Sequence, residues 1–409
     1  MNFEVQRVPI LMVTYAVLIS IYCASCASSG AIKPIKDNTS HKPHNNGITI
    51  DDHLTPSGLS MHTIGGQFYD VYFVNQNKGW ATVHSISAIL HTKDGGAKWE
   101  AEATPLGQPP GRQWYGLYFA NNLDGWAVGD KKVGISAAGP PPDEGYIIGT
   151  TNGGKYWTVQ KAVRGRELFG VSCAGSRDCW AVGQGGVVLN TSDGGRYWSY
   201  QNSGVSSTLY NVQFVNQNDG WAVGQDDTII ATTNGGREWT TQLSGLMVHF
   251  KNGVGNLATY TLLGLDFLNP QEGWVVGGDG QILHTADGGK TWLVQRRILG
   301  QGFTQVLHSV VFTSKLEGFA VGMSPTLDKR LILSTDNGGK TWRERAAIEK
   351  AGGSLGRDVY DVYFRNGYGW MTGFGNDGLY YSNDGGKTWK YYKLHFLRCE
   401  RPWVLCIGG

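Results

Sequence analysis

Charge of one sign is what this chain has least of. Its 35 Lys and Arg stand against 33 Asp and Glu, a formal net charge of +2 over 409 residues. That balance argues against nucleic acid or any other partner bound by global electrostatics, although one face can still be locally basic. Helical periodicity is also missing: the body shows no sustained run of apolar residues at three-and-four spacing, which excludes solenoids of helix pairs. Cysteine is scarce, at 6 residues, and no pair is accompanied by a histidine or a second pair at zinc-like spacing. Neither a metal nor a cofactor is expected.

Long apolar runs are confined to the N-terminus. Arg7 precedes an almost unbroken apolar stretch from Val8 to Cys23, followed by the small residues Ala24-Ser25-Cys26-Ala27. Residues 1–30 therefore read as a cleaved secretory signal, a lipoprotein leader with Cys26 as the lipidated residue, or a retained anchor. All three place the body outside the cytosol. Residues 31–60, polar and rich in Lys, His, Asn and Pro, read as a flexible linker. In an oxidising compartment the close pairs Cys173/Cys179 and Cys399/Cys406 suit local disulfides, with buried thiols as the alternative.

What the body has in excess is glycine and tryptophan, 60 and 15 residues, and the reason is a repeat. Thr/Ser-x-Asp/Asn-Gly-Gly-x-x-Trp occurs seven times, with its acid or amide at Asp94, Asn152, Asp193, Asn234, Asp287, Asn337 and Asp384. Gly-Trp-Ala-Val-Gly or a variant precedes each copy, at Trp80, Trp126, Trp180, Trp221, Trp274, Phe319 and Trp370. Each unit holds four short β-rich runs divided by turn chemistry. That spacing predicts an all-β, seven-bladed β-propeller with four strands per blade over residues 61–398, then a tail at 399–409 that packs on the last blade. Gly-Gly gives the backbone freedom for a tight turn, the Asp or Asn accepts backbone N–H groups, and the Trp packs between sheets. Burying about 150–250 Å² of each aromatic ring contributes roughly 4–6 kcal/mol gross.

The turn motif matches the Asp-box of sialidases and related propellers. The alternating unit over residues about 66 to 393 resembles the photosystem II stability and assembly factor family more narrowly. The resemblance implies a non-catalytic, extracytoplasmic scaffold, expected as a monomer, that holds a protein partner through an arginine patch. It implies no catalytic residue.

In the usual connectivity the Asp-boxes lie on one face and the blade-to-blade loops on the other. The second face is expected to carry the partner site: Arg112, Trp114, Arg164, Arg166, Arg296, Arg297, Arg330 and Arg357. Guanidinium groups there would grip carboxylates of an acidic segment. Trp114 and Tyr115 could instead stack on a sugar ring. Two insertions, residues 131–145 and 245–263, lengthen loops of this scaffold. The competing class is a glycoside hydrolase. A sialidase carries three substrate-gripping arginines, one near an Ile/Leu-Pro pair, and here the only Arg-x-Pro is Arg7-Val8-Pro9. Three boxes carry Asn, which cannot act as a general acid or base.

Overall fold

In the computed structural model the described residues are 68–83, 88–102, 104, 112–131, 144–242, 261–297, 305–324, 329–345, 358–373, 379–391, 395–398 and 405–408. For Arg112, Lys131, Lys329, Tyr391 and residues 395–398 and 405–408 only the backbone is described. The leader with Cys26, the linker, Arg357 and Cys399 lie outside them.

Seven antiparallel sheets follow one another along the chain, each built from four consecutive strands. The innermost strands are Phe68–Phe73, Arg112–Phe119, Leu168–Ala174, Leu209–Phe214, Leu262–Phe267, Val306–Phe312 and Val359–Arg365. The second strand begins at the Gly-Trp motif (at Asp178 in blade 3 and Tyr368 in blade 7), the third ends in the Asp-box Thr or Ser, and the fourth follows the box Trp. The only helical element among the described residues is a 3-10 turn at Gln184–Gly186. The sheets form a β-propeller.

Every inner strand carries a register shift at the same place, between Phe68 and Val71 in blade 1 and between Leu209 and Asn211 in blade 4. A bulge of this kind bends the strand and raises its twist, which suits the strand nearest the axis. Adjacent blades lock through aromatic rings. The Trp of one blade's second strand stacks on the last Phe of the next blade's inner strand: Trp80 on Phe119 at 3.5 Å between centroids, Trp180 on Phe214 at 3.5 Å, and Trp274 on Phe312 at 3.4 Å. That Phe then meets its own blade's box Trp edge-on, as in Phe214–Trp239 with 87° between planes. The edge-on contact is one the ring quadrupole favours, while the near-parallel stack lies almost face to face and contributes through buried ring area.

The same contact closes the ring. Trp370 of blade 7 stacks on Phe73 of blade 1 at 3.6 Å, and its indole N–H donates to the carbonyl of Gly95. Blade 7 is complete from its own four strands. The C-terminal segment, expected against the last blade, goes elsewhere. Strands His395–Arg398 and Leu405–Gly408 form a hairpin that pairs with the outer strand of blade 1, setting Cys406 opposite Glu100 and Ile407 opposite Trp99, so that sheet has six strands. The reason is proximity: in a closed ring blade 7 is the neighbour of blade 1, whose outer edge is open to pairing.

Candidate functional site

The Asp-boxes form one face. In blade 1 the Thr92 hydroxyl donates to Asp94 Oδ1 at 3.0 Å and accepts from the Gly96 amide at 2.9 Å, while Asp94 Oδ1 accepts from the Lys98 amide at 2.8 Å. Both glycines sit at positive φ, 78° and 103°, where a side chain would be strained. The network recurs in every blade, with Asn152, Asn234 and Asn337 accepting just as the carboxylates do. In blades 3, 5 and 7 the turn holds the box carboxyl below its usual range. The Thr291 hydroxyl and amide bring the Asp287 carboxyl down to about 2, and those of Thr388 do the same for Asp384. The Tyr197 amide lowers Asp193. These carboxylates are spent inside their own turns. The first box glycine also donates to the turn between the first and second strands, as Gly95 does to Asn77 and Gly235 to Asn218, so both turns share this face.

The opposite face carries the loops from second to third strand and from blade to blade. Arg166 belongs there, its guanidinium donating to the carbonyls of Gln184 and Gly185 at 3.1 and 2.9 Å. Arg296 donates to Gly280 O at 2.6 Å and to Gln305 Oε1 at 2.7 Å. Both therefore brace turns. Arg330 lies over the Tyr380 ring at 5.4 Å and donates to its hydroxyl. Arg297 is half-buried, and Arg164 is exposed with no hydrogen bond or ion pair among the described residues. Arg112 opens the inner strand of blade 2. Trp114 requires a correction. It is 1% exposed and packs with Trp80, Leu117 and Trp157 in a core cluster, because it occupies the inward position that Phe68 fills in blade 1. It cannot reach a partner or a sugar.

Around the axis the inner strands bring together residues that sequence reasoning missed. Tyr360, Tyr69, Tyr115, Phe169 and Tyr210 touch in sequence at 5.1–5.5 Å between centroids, with His308 against Tyr360 at 5.4 Å. Both His308 ring nitrogens are buried without a hydrogen-bond partner among the described residues, and burial lowers its pKa to about 4. One register step away, side chains reach the next blade's amides. Asp70 Oδ2 accepts from Leu117, Ser172 Oγ from Phe214, Gln213 Oε1 from Phe267, Asp266 Oδ2 from Phe312, and Asp361 Oδ2 from Val71. Burial, then the Asp361 charge, pushes the Asp70 carboxyl well above the usual range, and burial raises Asp361 as well. The signal was present: every inner strand except that of blade 2 offers Asp, Ser, Asn or Gln at one of two positions before its closing residues. Its pairing across 290 residues was not legible.

The Cys173–Cys179 disulfide is formed. Among the described residues no group of three or more His, Cys, Asp or Glu could hold a metal ion.

This geometry defines a class first: a seven-bladed Asp-box propeller of the BNR type. The particular family follows from comparison. The family model described as photosynthesis system II assembly factor YCF48 matches residues 196–297, 253–350 and 294–397, just under half of the chain, which supports the photosystem II assembly factor family. The chain is similar to the photosystem II assembly lipoprotein Ycf48 of Synechocystis sp., 37% identical over 71 residues, which are 17% of this chain and 20% of that protein. The matched stretch thus spans about a fifth of the curated relative's length. Among solved structures it is similar to YCF48 from Cyanidioschyzon merolae, with 16% identity, 84% of this chain and 96% of that chain covered, and a TM-score of 0.53. It is also similar to the GH74 xyloglucanase of Xanthomonas campestris, with 12% identity, 84% and 58% coverage, and a TM-score of 0.59. At these identities both likenesses show the fold. No helix among the described residues is long and apolar enough to cross a membrane.

Proposed function

We propose that this chain is a non-catalytic propeller that works outside the cytosol, assisting photosystem II assembly by holding an acidic segment of a protein partner on the face opposite the Asp-boxes. The observation that carries the reading is a division of labour between faces. The box acids are consumed by their own turns, while the opposite face presents Arg164, exposed and uncommitted among the described residues, and half-buried Arg297 and Arg330. Arg112 and Arg357 fall on the same loops by sequence. The family match supports the partner class, and the leader supports the compartment, with Cys26 as a lipid anchor on the luminal or periplasmic side. The propeller acts as a monomer.

Affinity capture from native membranes of the source organism tests this. Arg164→Glu combined with Arg297→Glu and Arg330→Glu is expected to abolish recovery of photosystem II polypeptides, while Arg237→Glu on the Asp-box face is expected to retain it. Equal recovery by both variants would overturn the reading. Turnover is not expected: Asp70 and Asp361 are the one buried carboxyl pair placed together among the described residues, and each accepts a backbone amide across a blade junction. Hydrolysis of xyloglucan or fluorogenic sialosides, lost on substituting either, would establish an enzyme instead.

A further inference from the structure

A blade ends at its outer strand, and a sheet edge presents N–H and C=O groups that can template another strand. Blade 1 shows this within the molecule, since strand Leu405–Gly408 pairs antiparallel with outer strand Trp99–Glu102. Blade 2 differs. Its outer strand Thr158–Arg164 runs for 7 residues, against 3 in blades 3 and 4, 4 in blade 5 and 2 in blades 6 and 7. Among the described residues nothing pairs with its far side. Among the described residues it is the longest outer strand, and length decides how many ladder bonds an added strand can make.

The side chains around this edge share one chemistry. Val159 is 42% exposed, Tyr156 73%, Tyr197 70% and Tyr200 60%. Only the boxes of blades 2 and 3 place a tyrosine immediately before the Trp; the others carry Lys98, Glu238, Thr291, Thr341 or Thr388 there. The strand itself bears Lys161 and Arg164 and no acid, and exposed Lys155 and Arg196 stand in the two flanking boxes. Lys161 Nζ lies 5.4 Å from the Tyr200 ring centroid and donates to Trp198 O, so the edge of blade 2 and the tyrosine of blade 3 form one surface. The nearby acids are engaged: Asp193 accepts from Thr191 and Tyr197, and Glu144 accepts from the Tyr146 hydroxyl.

We propose that the outer edge of blade 2 docks an extended acidic segment of a partner protein as a fifth strand. Main-chain ladder bonds to Thr158–Arg164 supply the affinity, apolar side chains of alternate residues lie on Val159, and the carboxylates between them, on the other face, meet Lys161 beside Tyr200. A second copy of the chain is a poor occupant, because apposing two such edges sets Lys161 and Arg164 against like charge. The edge is a different surface from the axial face, so this proposal goes beyond the preceding one, and its test leaves Arg164, Arg297 and Arg330 unchanged.

The test uses the full chain and a fluorescein-labelled eight-residue peptide alternating Glu with Val and Tyr, followed by fluorescence anisotropy. Saturable binding is expected, weakened at least tenfold by Lys161→Glu and several-fold by Tyr200→Ala. Peptides N-methylated at alternate amides give a readout that leaves the protein untouched: methylation in one parity is expected to abolish binding and in the other to preserve it. No binding, equal effects of both parities, or indifference to the charge reversal would overturn the proposal. So would sedimentation showing a dimer that dissociates on Lys161→Glu, which would assign the edge to a second copy.

Discussion

Cys173 faces Cys179 across the first two strands of blade 3, bonded to it, at the position where six other blades lay a phenylalanine ring over a glycine. In blade 4 that pair is Phe214 and Gly220, and a Cβ added to Gly220 would come within 2.5 Å of the ring. The glycine of the Gly-Trp motif is therefore required by the aromatic above it. Blade 3 loses the ring, and with it the need for the glycine.

The double variant Cys173→Phe with Cys179→Gly is expected to fold and to make blade 3 insensitive to reductant. Cys173→Ser with Cys179→Ser is expected to cost about 2–4 kcal/mol, the usual range for a lost disulfide. Gly220→Ala should destabilise by about 1–3 kcal/mol through overpacking. Thermal unfolding with and without dithiothreitol checks all three.

A glutamine clamp joins successive blades. Gln201 accepts from the Trp239 indole at 3.2 Å and donates to Gly235 O at 2.9 Å, and Gln160, Gln242 and Gln295 repeat the pattern one junction along. Gln201→Ala leaves the Trp239 indole N–H without its acceptor, while Gly235 O keeps the Trp180 indole, and is expected to cost about 1–3 kcal/mol. Gln201→Glu keeps the acceptor, turns the donor into a second acceptor against a carbonyl, and should cost more. Urea denaturation separates the two.

The axial carboxyls make stability fall as pH rises. Asp70 and Asp361 have pKa values raised in the folded state, and Asp266 is raised by burial to about 6. Between the unfolded value of about 3.9 and the raised folded values, the folded chain binds more protons than the unfolded one. Their favourable contribution is thus present below about pH 4 and lost as pH climbs through the folded values. Asp70→Asn, which keeps the acceptor for the Leu117 amide and removes the charge beside Asp361, is expected to raise Tm at pH 7 and flatten its slope from pH 4 to 8. An unchanged slope would exclude this pair as its source.

The boxes titrate the other way. Asp287 and Asp384 are held to about 2, so what they contribute is present above about pH 4 and lost as pH falls toward 2. Asp287→Asn is expected to be near neutral at pH 7, because Asn already serves in three boxes. Thr285→Val strips the hydroxyl that serves Gly289 and Asp287 and should cost about 1–3 kcal/mol. A Tm series at pH 3 and pH 7 checks the pair.

The seven blades, their four strands and the turn chemistry of the boxes were readable in the chain. Each depends on contacts within a few residues: Thr285, Asp287 and Gly289 lie inside one turn, and the repeat announces it seven times. The fates of individual side chains were not readable. Trp114 looked like a rim aromatic because it neighbours Arg112, yet the alternation of its strand turns it inward. Arg166 and Arg296 looked available, yet each is drawn to carbonyls of a turn that only the folded blades bring near.

Sequence alone determined how many sheets form and which turn chemistry shapes them, since those choices are made by short-range hydrogen bonding and backbone freedom. Tertiary structure decided what happens where the ends meet: Asp361 on the Val71 amide, Trp370 on Phe73, and the C-terminal hairpin on blade 1. Those contacts join residues about 290 or more apart, and closing the ring is what puts them within reach.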